Sequence, residues 1–202
     1  MEEEVMKCIK ERRSIRDYTD EPLSRELIEE IIMAGRYAPS AENSQPWKFI
    51  VITSRDEIAS LSGEVKRQIR EVLRHKRKWK KKYPELARQE TALFLNAVSS
   101  SEKDNIFFNA PVVVFIVTED KAFYDESCAC AAQNMMLAAW SLGIGSCWIG
   151  FAKFLELNPA LMEKIGVPEG HHISACIILG HAAHVPKPQI RKPMADIIRW
   201  IE

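Results

Sequence analysis

The stretch Arg12-Arg13-Ser14-Ile15-Arg16 places three arginines and one hydroxyl within five residues. Arginine carries a planar, permanently charged guanidinium that matches phosphate and carboxylate oxygens, and a serine hydroxyl can add a neutral hydrogen bond to the same oxygens. Val5, Met6 and Ile9 form a short helical stripe before it. We therefore expect the cluster just after a helix, where the backbone turns. Taken alone, it is more typical of a solvated charged turn than of a binding site.

A second stretch complements the first: Ala38-Pro39-Ser40-Ala41-Glu42-Asn43-Ser44-Gln45-Pro46-Trp47. Its turn-forming residues predict a loop between a helix and a strand. Asn43 and Gln45 each carry a donor and an acceptor, which suit the edge of a planar polar ring. One stretch suits an anion and the other a heterocycle. Together they indicate a phosphorylated aromatic cofactor, although each by itself is compatible with an ordinary surface turn.

Length and composition set the broad class. The 202 residues favour one domain over residues 1–202, and 47% apolar and 28% charged residues are typical of a globular protein. The 28 basic and 28 acidic residues cancel, which argues against a nucleic-acid binder defined by overall charge. The acidic start lacks an apolar run, and no stretch approaches the ~20 apolar residues of a membrane span. We expect a cytoplasmic protein with no membrane or nucleic-acid partner.

The cysteines and histidines give weak signals. The five cysteines show no metal-finger spacing, so we interpret them as reduced thiols that mostly fill the core; Cys147 could also face a cofactor. Four histidines lie between residues 171 and 184, around expected turns. We interpret them as surface or structural side chains, because a metal site needs converging ligands with supporting partners. We predict no metal.

Periodicity predicts alternating helices and strands. Leu27, Ile28, Ile31 and Ile32 recur at helical spacing behind a capping Ser24. Other expected helices span residues 58–97 and 129–142, together with a short helix opened by Asn158 and ended by Gly166. Expected strands span residues 47–53, 111–118 and 173–179, the second buried on both faces. Residues 180–193 are expected to form a loop, and the tail 194–201 an amphipathic segment that needs a partner surface. This interleaving predicts an α+β or mixed α/β architecture.

Two segments leave alternatives open. Gly143-Ile144-Gly145-Ser146-Cys147-Trp148-Ile149-Gly150 is not a dinucleotide fingerprint, because a tryptophan stands where that pattern needs glycine. It is either a ligand-facing loop or a helix-to-strand turn. Residues 75–82 carry a basic run. This run is either a binding site, for nucleic acid or for a phosphorylated substrate, or a solvated helix face. We favour the solvated face, because Glu71, Glu85 and Glu90 dilute the field.

These stretches resemble the nitroreductase family of flavin enzymes, with its Arg-Arg-Ser-x-Arg opening and its Pro-Ser-x-x-Asn-x-Gln-Pro-Trp loop. The likeness continues through residues 143–150 to a late Arg191. The resemblance implies a mixed, mainly antiparallel sheet wrapped by helices, in an intertwined homodimer. It also implies one non-covalent FMN at each subunit boundary. The variable middle region often lies over the active site in this family, so Trp79, Tyr83 or Phe94 could form a lid.

The resemblance also assigns candidate cofactor-binding residues. Arg12 and Arg16 would neutralise the phosphate, with Arg191 joining from the chain end, while Arg13 and Ser14 would lie nearer the ribityl chain and the pyrimidine edge. The other subunit would present Pro39, Ser40, Ala41, Asn43 and Gln45. The ring would be lined, with amides near its reactive nitrogen, by Trp148, Ile149 and Gly150. Some members carry an acidic residue between the positions matching Ile149 and Gly150, and this chain lacks it.

The implied activity is ping-pong transfer of reducing equivalents from NADH or NADPH to a quinone, a nitroaromatic or a similar conjugated acceptor. The flavin carries the redox chemistry, so we name no catalytic side chain. Three alternatives remain. They are a flavin-consuming or dehalogenating enzyme, a non-catalytic flavin-binding redox module, and a nucleic-acid binder that uses the basic helix.

Overall fold

The computed structural model describes residues 2–79, 81–187 and 199–201. Its sheet has four strands, β1 (Lys48–Ile52), β2 (Val112–Glu119), β3 (Gly145–Trp148) and β4 (His171–Gly180), in the order β1-β2-β4-β3. Each neighbouring pair is antiparallel. The α+β class and the mainly antiparallel sheet are therefore confirmed. The single domain over residues 1–202 stays a prediction.

Helices flank the sheet on both faces. The described helices are α1 (Glu2–Glu11), α2 (Arg25–Arg36), α3 (Arg55–Arg74), α4 (Lys76–Trp79), α5 (Gln89–Ser100), α6 (Tyr124–Ser141) and α7 (Pro159–Lys164). Short 3-10 segments occupy Ala41–Asn43, Pro84–Ala87 and Gly150–Leu157. None of the helices in the described ranges is both long and apolar enough to cross a membrane.

Strand β2 forms the centre of two hydrophobic layers, as its continuous apolar sequence predicts. Val113, Phe115 and Val117 point into a core shared with α3, α5, α7 and the segment Gly150–Leu157. Val112 and Val114 point the other way, into a core shared with α2 and α6. Both layers bury β2, so the prediction of a central strand buried on both faces is confirmed.

The packing of α2 on α6 explains the small residues of α6. Ala131, Ala132 and Met135 are fully buried. A Cβ added at Gly35 of α2 would lie 2.7 Å from Cγ of Met135, so glycine at this position lets the two helices approach closely. This close helix contact lies in the core of one chain.

Helix caps follow the sequence, but one predicted helix was wrong. The Ser24 hydroxyl accepts from Leu27 N at 3.2 Å, and Asn158 Oδ1 accepts from Leu161 N at 3.3 Å, which caps α2 and α7. The single helix expected over residues 58–97 is divided into α3, α4 and α5, with the 3-10 segment Pro84–Ala87 between α4 and α5. His75 ends α3 in a non-helical conformation and Pro84 cannot continue a hydrogen-bonded helix, so the chain turns twice.

The expected loop 143–150 is mostly strand. Gly143 makes the turn with a φ of 75°, and residues 145–148 then pair with β4, Cys147 opposite Ile178. Four residues were too few for the alternation of a strand to be visible. His171 and His172 also begin β4 rather than lying in a turn.

The arginine stretch does not turn away after α1 but runs alongside β3. Ile15 N donates to Ser146 O at 2.9 Å, and Ser14 and Ser146 form a parallel bridge. Farther along, Thr19 N donates to His181 O at 2.9 Å. The expected turn is therefore an extended segment, because the open edge of β3 offers it backbone partners.

Gly180 makes room for this extended segment at the end of β4. A Cβ on Gly180 would lie 2.6 Å from Cδ of Pro111 and 2.7 Å from Cδ1 of Tyr18. Tyr18 itself donates its hydroxyl to Ile15 O at 2.7 Å. Burial raises the pKa of Tyr18 far above its ordinary value, so the hydroxyl stays a donor over the whole physiological range.

We predict that Gly180→Ala lowers the free energy of unfolding by about 1–3 kcal/mol, because the added methyl overpacks the contact with Pro111 and Tyr18. Urea denaturation measures the change. The matched control is Gly63→Ala in the exposed interior of α3, where the added Cβ meets nothing within 4 Å. It should stabilise by about 0.5–1 kcal/mol. Equal effects of the two changes would contradict the close packing at Gly180.

Glu64 joins α3 to α7 through a half-buried polar contact. Its carboxylate accepts from Arg67 Nη2 at 2.6 Å, from Gln68 Nε2 at 2.7 Å and from Asn158 Nδ2 at 2.9 Å. The hydrogen bond from Arg67 is the main cause that lowers the pKa of Glu64 to about 2, against an opposing effect of burial. Since Asn158 also caps α7, this carboxylate fixes the position of the cap.

A lowered carboxyl pKa stabilises the fold above the unfolded pKa and loses that contribution as the pH falls. We therefore predict that the native protein loses about 1 kcal/mol more stability than Glu64→Gln between pH 5 and pH 2, after allowance for solvent screening. Denaturation curves at several pH values measure the difference. Parallel curves for the two proteins over this range would show that Glu64 carries no special proton linkage.

Candidate active site

A cavity of about 660 Å³ lies beside the end of β3. Its walls come from the arginine stretch, α5, the loop before β2, and the residues that follow β3. The lining residues are Arg16, Phe94, Val98, Asn105, Ile106, Phe108, Trp148, Ile149, Gly150 and Phe151. The cavity thus brings together four of the residues predicted from sequence, Arg16 and the Trp148-Ile149-Gly150 run, although they are more than 130 positions apart in the chain.

Arg16 supplies a positive charge to an otherwise largely apolar cavity. Its guanidinium carbon lies 5.8 Å from the centroid of the Phe108 ring, within the range of a cation–π contact. The nearby Tyr18 and Cys147 do not neutralise it, because burial raises the pKa of both groups and they remain uncharged. The exposed Arg16 is therefore available to an electron-rich or anionic ligand.

The backbone of the run after β3 is only partly available to a ligand. Ile149 N donates to Cys176 O at 2.8 Å, so this amide belongs to the sheet. Gly150 begins the 3-10 segment Gly150–Leu157, and the first amide of such a segment has no intrahelical acceptor. The expectation that all three amides face a ring is thus corrected: the Ile149 amide is occupied, whereas that of Gly150 can meet a ligand.

Arg12, Arg13 and Ser14 lie outside the cavity lining, two to four positions before Arg16 in the chain. Arg13 Nη1 donates to Lys10 O and to Arg12 O, each at 2.8 Å, at the end of α1. In the described part of the chain, the buried Nε atoms of Arg12 and Arg13 and the buried Oγ of Ser146 have no hydrogen-bond partner. Unpaired buried polar atoms are costly, and these belong to residues flanking the Ser14–Ser146 bridge. An anion bound here could supply acceptors for them.

The loop between α5 and β2 carries a wall that sequence reasoning missed. Asn105, Ile106 and Phe108 line the cavity, and the buried Oδ1 of Asn105 lacks a partner among the described residues. Phe108 and Asn109 have φ values of 57° and 52°, a left-handed conformation that no hydrophobic pattern indicates.

Asp104 fixes this loop. Its Oδ1 accepts from Ser62 Oγ at 2.6 Å, Ile106 N at 3.1 Å and Phe107 N at 3.0 Å, and its Oδ2 accepts from Asn109 N at 3.0 Å. One carboxylate therefore holds both ends of the loop and ties it to α3. The only sequence signal for this loop is the aspartate itself, whose side chain can accept hydrogen bonds from the backbone N–H groups that follow it. That signal is weak.

Aromatic side chains connect the cavity to the middle region of the chain. Phe94 lies 6.1 Å from Phe151, Phe151 lies 6.4 Å from Phe154, and Tyr83 stacks on Phe154 at 5.3 Å, all between ring centroids. Trp79 lies 6.2 Å from Tyr83. Of the three suggested lid residues, Phe94 lines the cavity. Trp79 and Tyr83 lie outside the lining and are connected to it through the rings of Phe154 and Phe151.

The amide-rich loop lies elsewhere in the chain. It precedes β1, which is the edge of the sheet opposite β3, so about 14 Å of sheet separates the two strands at ~4.8 Å per spacing. Glu42, Asn43 and Gln45 have φ values of 52°, 53° and 46°. Gln45 Nε2 donates to Asn43 Oδ1 at 3.2 Å, and Gln45 N donates to Ser40 Oγ at 3.0 Å. One chain does not bring Pro39, Ser40, Ala41, Asn43 or Gln45 to the cavity.

The remaining predictions concern residues away from the cavity. Arg191 and most of the tail 194–201 lie outside the described residues. Cys128, Cys147 and Cys176 are buried, as expected of core thiols, whereas Cys130 is exposed and Cys8 half-buried. In the described ranges, no group of three or more histidine, cysteine or acidic side chains could hold a metal ion.

The fold and this cavity define an α+β protein with a cationic, aromatic-lined site at a sheet edge. A sequence model of the nitroreductase family matches residues 9–181. A protein of Archaeoglobus fulgidus, provisionally named NADH dehydrogenase/NAD(P)H nitroreductase, is 32% identical over 185 residues, which cover 89% of this chain and 86% of the relative. The chain belongs to the nitroreductase family.

Two further proteins are similar to this chain. The nitrobenzene nitroreductase of Ectopseudomonas oleovorans is 28% identical over 197 residues, covering 86% of this chain and 85% of the relative. The crystal structure of a nitroreductase with bound FMN from Bacteroides fragilis superimposes with a TM-score of 0.78 at 29% identity, covering 98% of each chain. The structural likeness to the Bacteroides fragilis protein extends over nearly the whole length of both chains.

We predict that Asp104→Ala destabilises the protein by about 2–3 kcal/mol, because three backbone amides and the Ser62 hydroxyl lose their acceptor. Thermal or urea unfolding measures the loss. The control Asp120→Ala removes an exposed carboxylate of the turn after β2, and it should change stability by less than about 0.5 kcal/mol. If both variants behave alike, Asp104 does not hold the loop.

Proposed function

We propose that this chain is an FMN-dependent oxidoreductase that takes reducing equivalents from NADH or NADPH and passes them to a quinone, a nitroaromatic or a similar conjugated acceptor. One observation carries the proposal: a cavity unites Arg16 with Trp148, Ile149 and Gly150, and the same arginine stretch contains the buried Nε atoms of Arg12 and Arg13, which have no partner among the described residues. A flavin mononucleotide needs an anion site next to a flat apolar slot. The bound FMN structure of the Bacteroides fragilis protein supports the same cofactor here.

The arginine stretch would hold the phosphate and the ribityl chain. Among the described residues, the buried Nε donors of Arg12 and Arg13 have no partner, and Ser14 adds a hydroxyl next to them in the chain. Guanidinium groups bind phosphate oxygens through paired, charge-assisted hydrogen bonds. Arg191 would join them from the chain end, as the family pattern implies.

Arg16 would serve the ring rather than the phosphate. It shares the cavity with the residues expected beside the ring, and Phe108 positions its guanidinium. A cation at the edge of the ring stabilises negative charge that develops there as electrons arrive. The Gly150 amide could donate to the same ring, and Trp148 would cover part of its surface. The initial assignment of Arg16 to the phosphate is therefore the less favoured of the two.

The loop formed by residues 39–45 would complete the site from a second copy of the chain. In one chain it lies at the opposite edge of the sheet, so a homodimer is the arrangement that could place it at the cavity. Exposed apolar side chains on α1 and α2 support such an association, namely Val5, Met6, Ile9, Met33 and Tyr37. Asn43 and Gln45 would then offer amide donors and acceptors to the ring edge.

When bound, FMN supplies the redox chemistry, accepting reducing equivalents from the nicotinamide and delivering them to the acceptor. The residues of the chain bind and orient the reactants. Phe94, Phe108 and Phe151 form apolar walls that suit flat conjugated molecules and exclude water. Donor and acceptor would use the same cavity in turn, which is a ping-pong sequence.

The purified protein should be yellow, and NADH or NADPH should bleach its visible absorption under anaerobic conditions. Adding a quinone or a nitroaromatic should then restore the colour. A colourless protein that does not bind added FMN would refute the proposal. A flavin that neither nucleotide reduces would instead support a non-catalytic flavin-binding module.

We predict that the double variant Arg12→Ala, Arg16→Ala folds but retains less than a tenth of the native flavin, because each lost charge-assisted contact is worth about 1.5–3 kcal/mol. Flavin content is measured from the ratio of visible to ultraviolet absorption, and folding from circular dichroism. The control double variant Arg25→Ala, Arg74→Ala removes two exposed arginines of α2 and α3 and should keep its flavin. Unchanged occupancy in the first variant would show that neither Arg12 at the phosphate nor Arg16 at the ring contributes to flavin binding.

A further inference from the structure

The segment between α3 and the 3-10 segment Pro84–Ala87 carries an uncompensated positive charge. Arg74 and His75 lie within ion-pair distance of Glu71, and Lys82 lies 4.0 Å from Glu156. Lys76, Arg77, Lys78 and Lys81 are exposed. Within the described ranges, no acidic side chain lies within ion-pair distance of these four. We call Lys76, Arg77, Lys78, Lys81 and Lys82 the basic rim.

The whole chain is neutral, so this charge is concentrated rather than spread. The chain has 28 basic and 28 acidic residues, yet the basic rim places five cations within seven consecutive positions. The acidic residues nearest in sequence are Glu71, already engaged, and Glu85 and Glu90, which lie beyond the rim. A local excess of this kind raises the concentration of anions near it.

Aromatic rings hold part of the basic rim in place. The ammonium group of Lys78 lies 5.1 Å from the centroid of the Trp79 ring, and that of Lys82 lies 5.7 Å from the centroid of Tyr83. Both distances are within the range of cation–π contacts. The charges of Lys78 and Lys82 are therefore less mobile than those of ordinary surface lysines.

The same rings connect the basic rim to the cavity. Tyr83 stacks on Phe154, which lies 6.4 Å from Phe151, and Phe151 lines the cavity. The rim is thus two ring contacts from the cavity wall. This separation suits a ligand that is long, flat at one end and anionic at the other.

From this arrangement we infer that the basic rim binds the phosphate-bearing adenosine end of the electron donor and makes NADPH preferred over NADH. The inference rests on the proposed function, because it assumes that a nicotinamide reaches the cavity. NADPH differs from NADH only by a 2′-phosphate, which adds about two negative charges near neutral pH. The rim cations interact with these charges, whereas the nicotinamide end is the same in both donors.

The test compares the two donors on the flavin-loaded protein. The rim variant is Lys76→Gln, Arg77→Gln, Lys78→Gln. The control variant removes three exposed cations of other elements, Arg25→Gln, Lys121→Gln, Lys164→Gln, with the same change in net charge. Stopped-flow bleaching of the flavin gives the second-order rate constant of reduction by each donor at several salt concentrations.

The native protein should react at least tenfold faster with NADPH than with NADH at low salt, with the difference shrinking as salt screens the rim. The rim variant should lose most of this preference, mainly through a slower reaction with NADPH, while the control variant keeps it. Reoxidation by an uncharged quinone should be unchanged in both variants, because that step involves no anion.

Three results would overturn the inference. The first is a native protein that reacts equally with both donors or prefers NADH. The second is a preference for NADPH that survives in the rim variant or falls equally in the control. The third is salt-sensitive binding of a single-stranded oligonucleotide that the rim variant loses while its donor preference stays intact, which would assign the rim to nucleic acid. Failure of both donors to bleach the flavin would instead remove the proposed function and the inference together.

Discussion

The backbone hydrogen bond from Ile15 N to Ser146 O is the contact on which the candidate site depends. It pairs the arginine stretch with the edge strand β3, so a segment near the start of the chain lies beside one that follows α6. Ile15 is fully buried, and a Cβ on Gly145 would lie 3.0 Å from three of its side-chain atoms. A side chain at position 145 would thus force the two segments apart. Because Ile15 points into the core, the neighbouring Ser14 and Arg16 point the opposite way, as the period of an extended chain requires.

The sheet determines which parts of the site one chain can supply. Strands β1 and β3 are opposite edges of the sheet, and the amide-rich loop precedes one while the arginine stretch lies along the other. Central strands β2 and β4 are almost completely buried between the two layers of helices. Their side chains therefore stabilise the fold and leave ligand contacts to the edges. A site built from both edges needs a second copy, and the exposed apolar side chains of α1 and α2 are consistent with that requirement.

Sequence patterns predicted the parts of the fold and site that are local. The apolar run of β2, the Ser24 and Asn158 caps, and the glycine at position 166 with a φ of 89° are each dictated by residues close in the chain. Arg16 and Trp148-Ile149-Gly150 were found through the family resemblance, because no periodicity relates residues so far apart. Asn105 and Phe108 were missed for a physical reason: their position depends on the Asp104 carboxylate and on two left-handed residues, neither of which leaves a pattern. Strand β3 was missed because its four residues are defined by pairing with β4 rather than by their own sequence.

The two cationic features of the chain, Arg16 and the basic rim, lie in different surroundings. Arg16 stands among aromatic rings and uncharged groups, so no acidic side chain among the described residues of the cavity lining weakens its effect on a bound ring. The basic rim lies in water, where each cation is screened and only a group of them produces a useful field. A single cation beside a bound ring can tune its chemistry, whereas several cations together can select and attract a substrate. The aromatic residues between Arg16 and the basic rim, from Tyr83 to Phe151, keep the two groups of charge at a fixed separation. A chain with no net charge can therefore still present concentrated positive charge at two places.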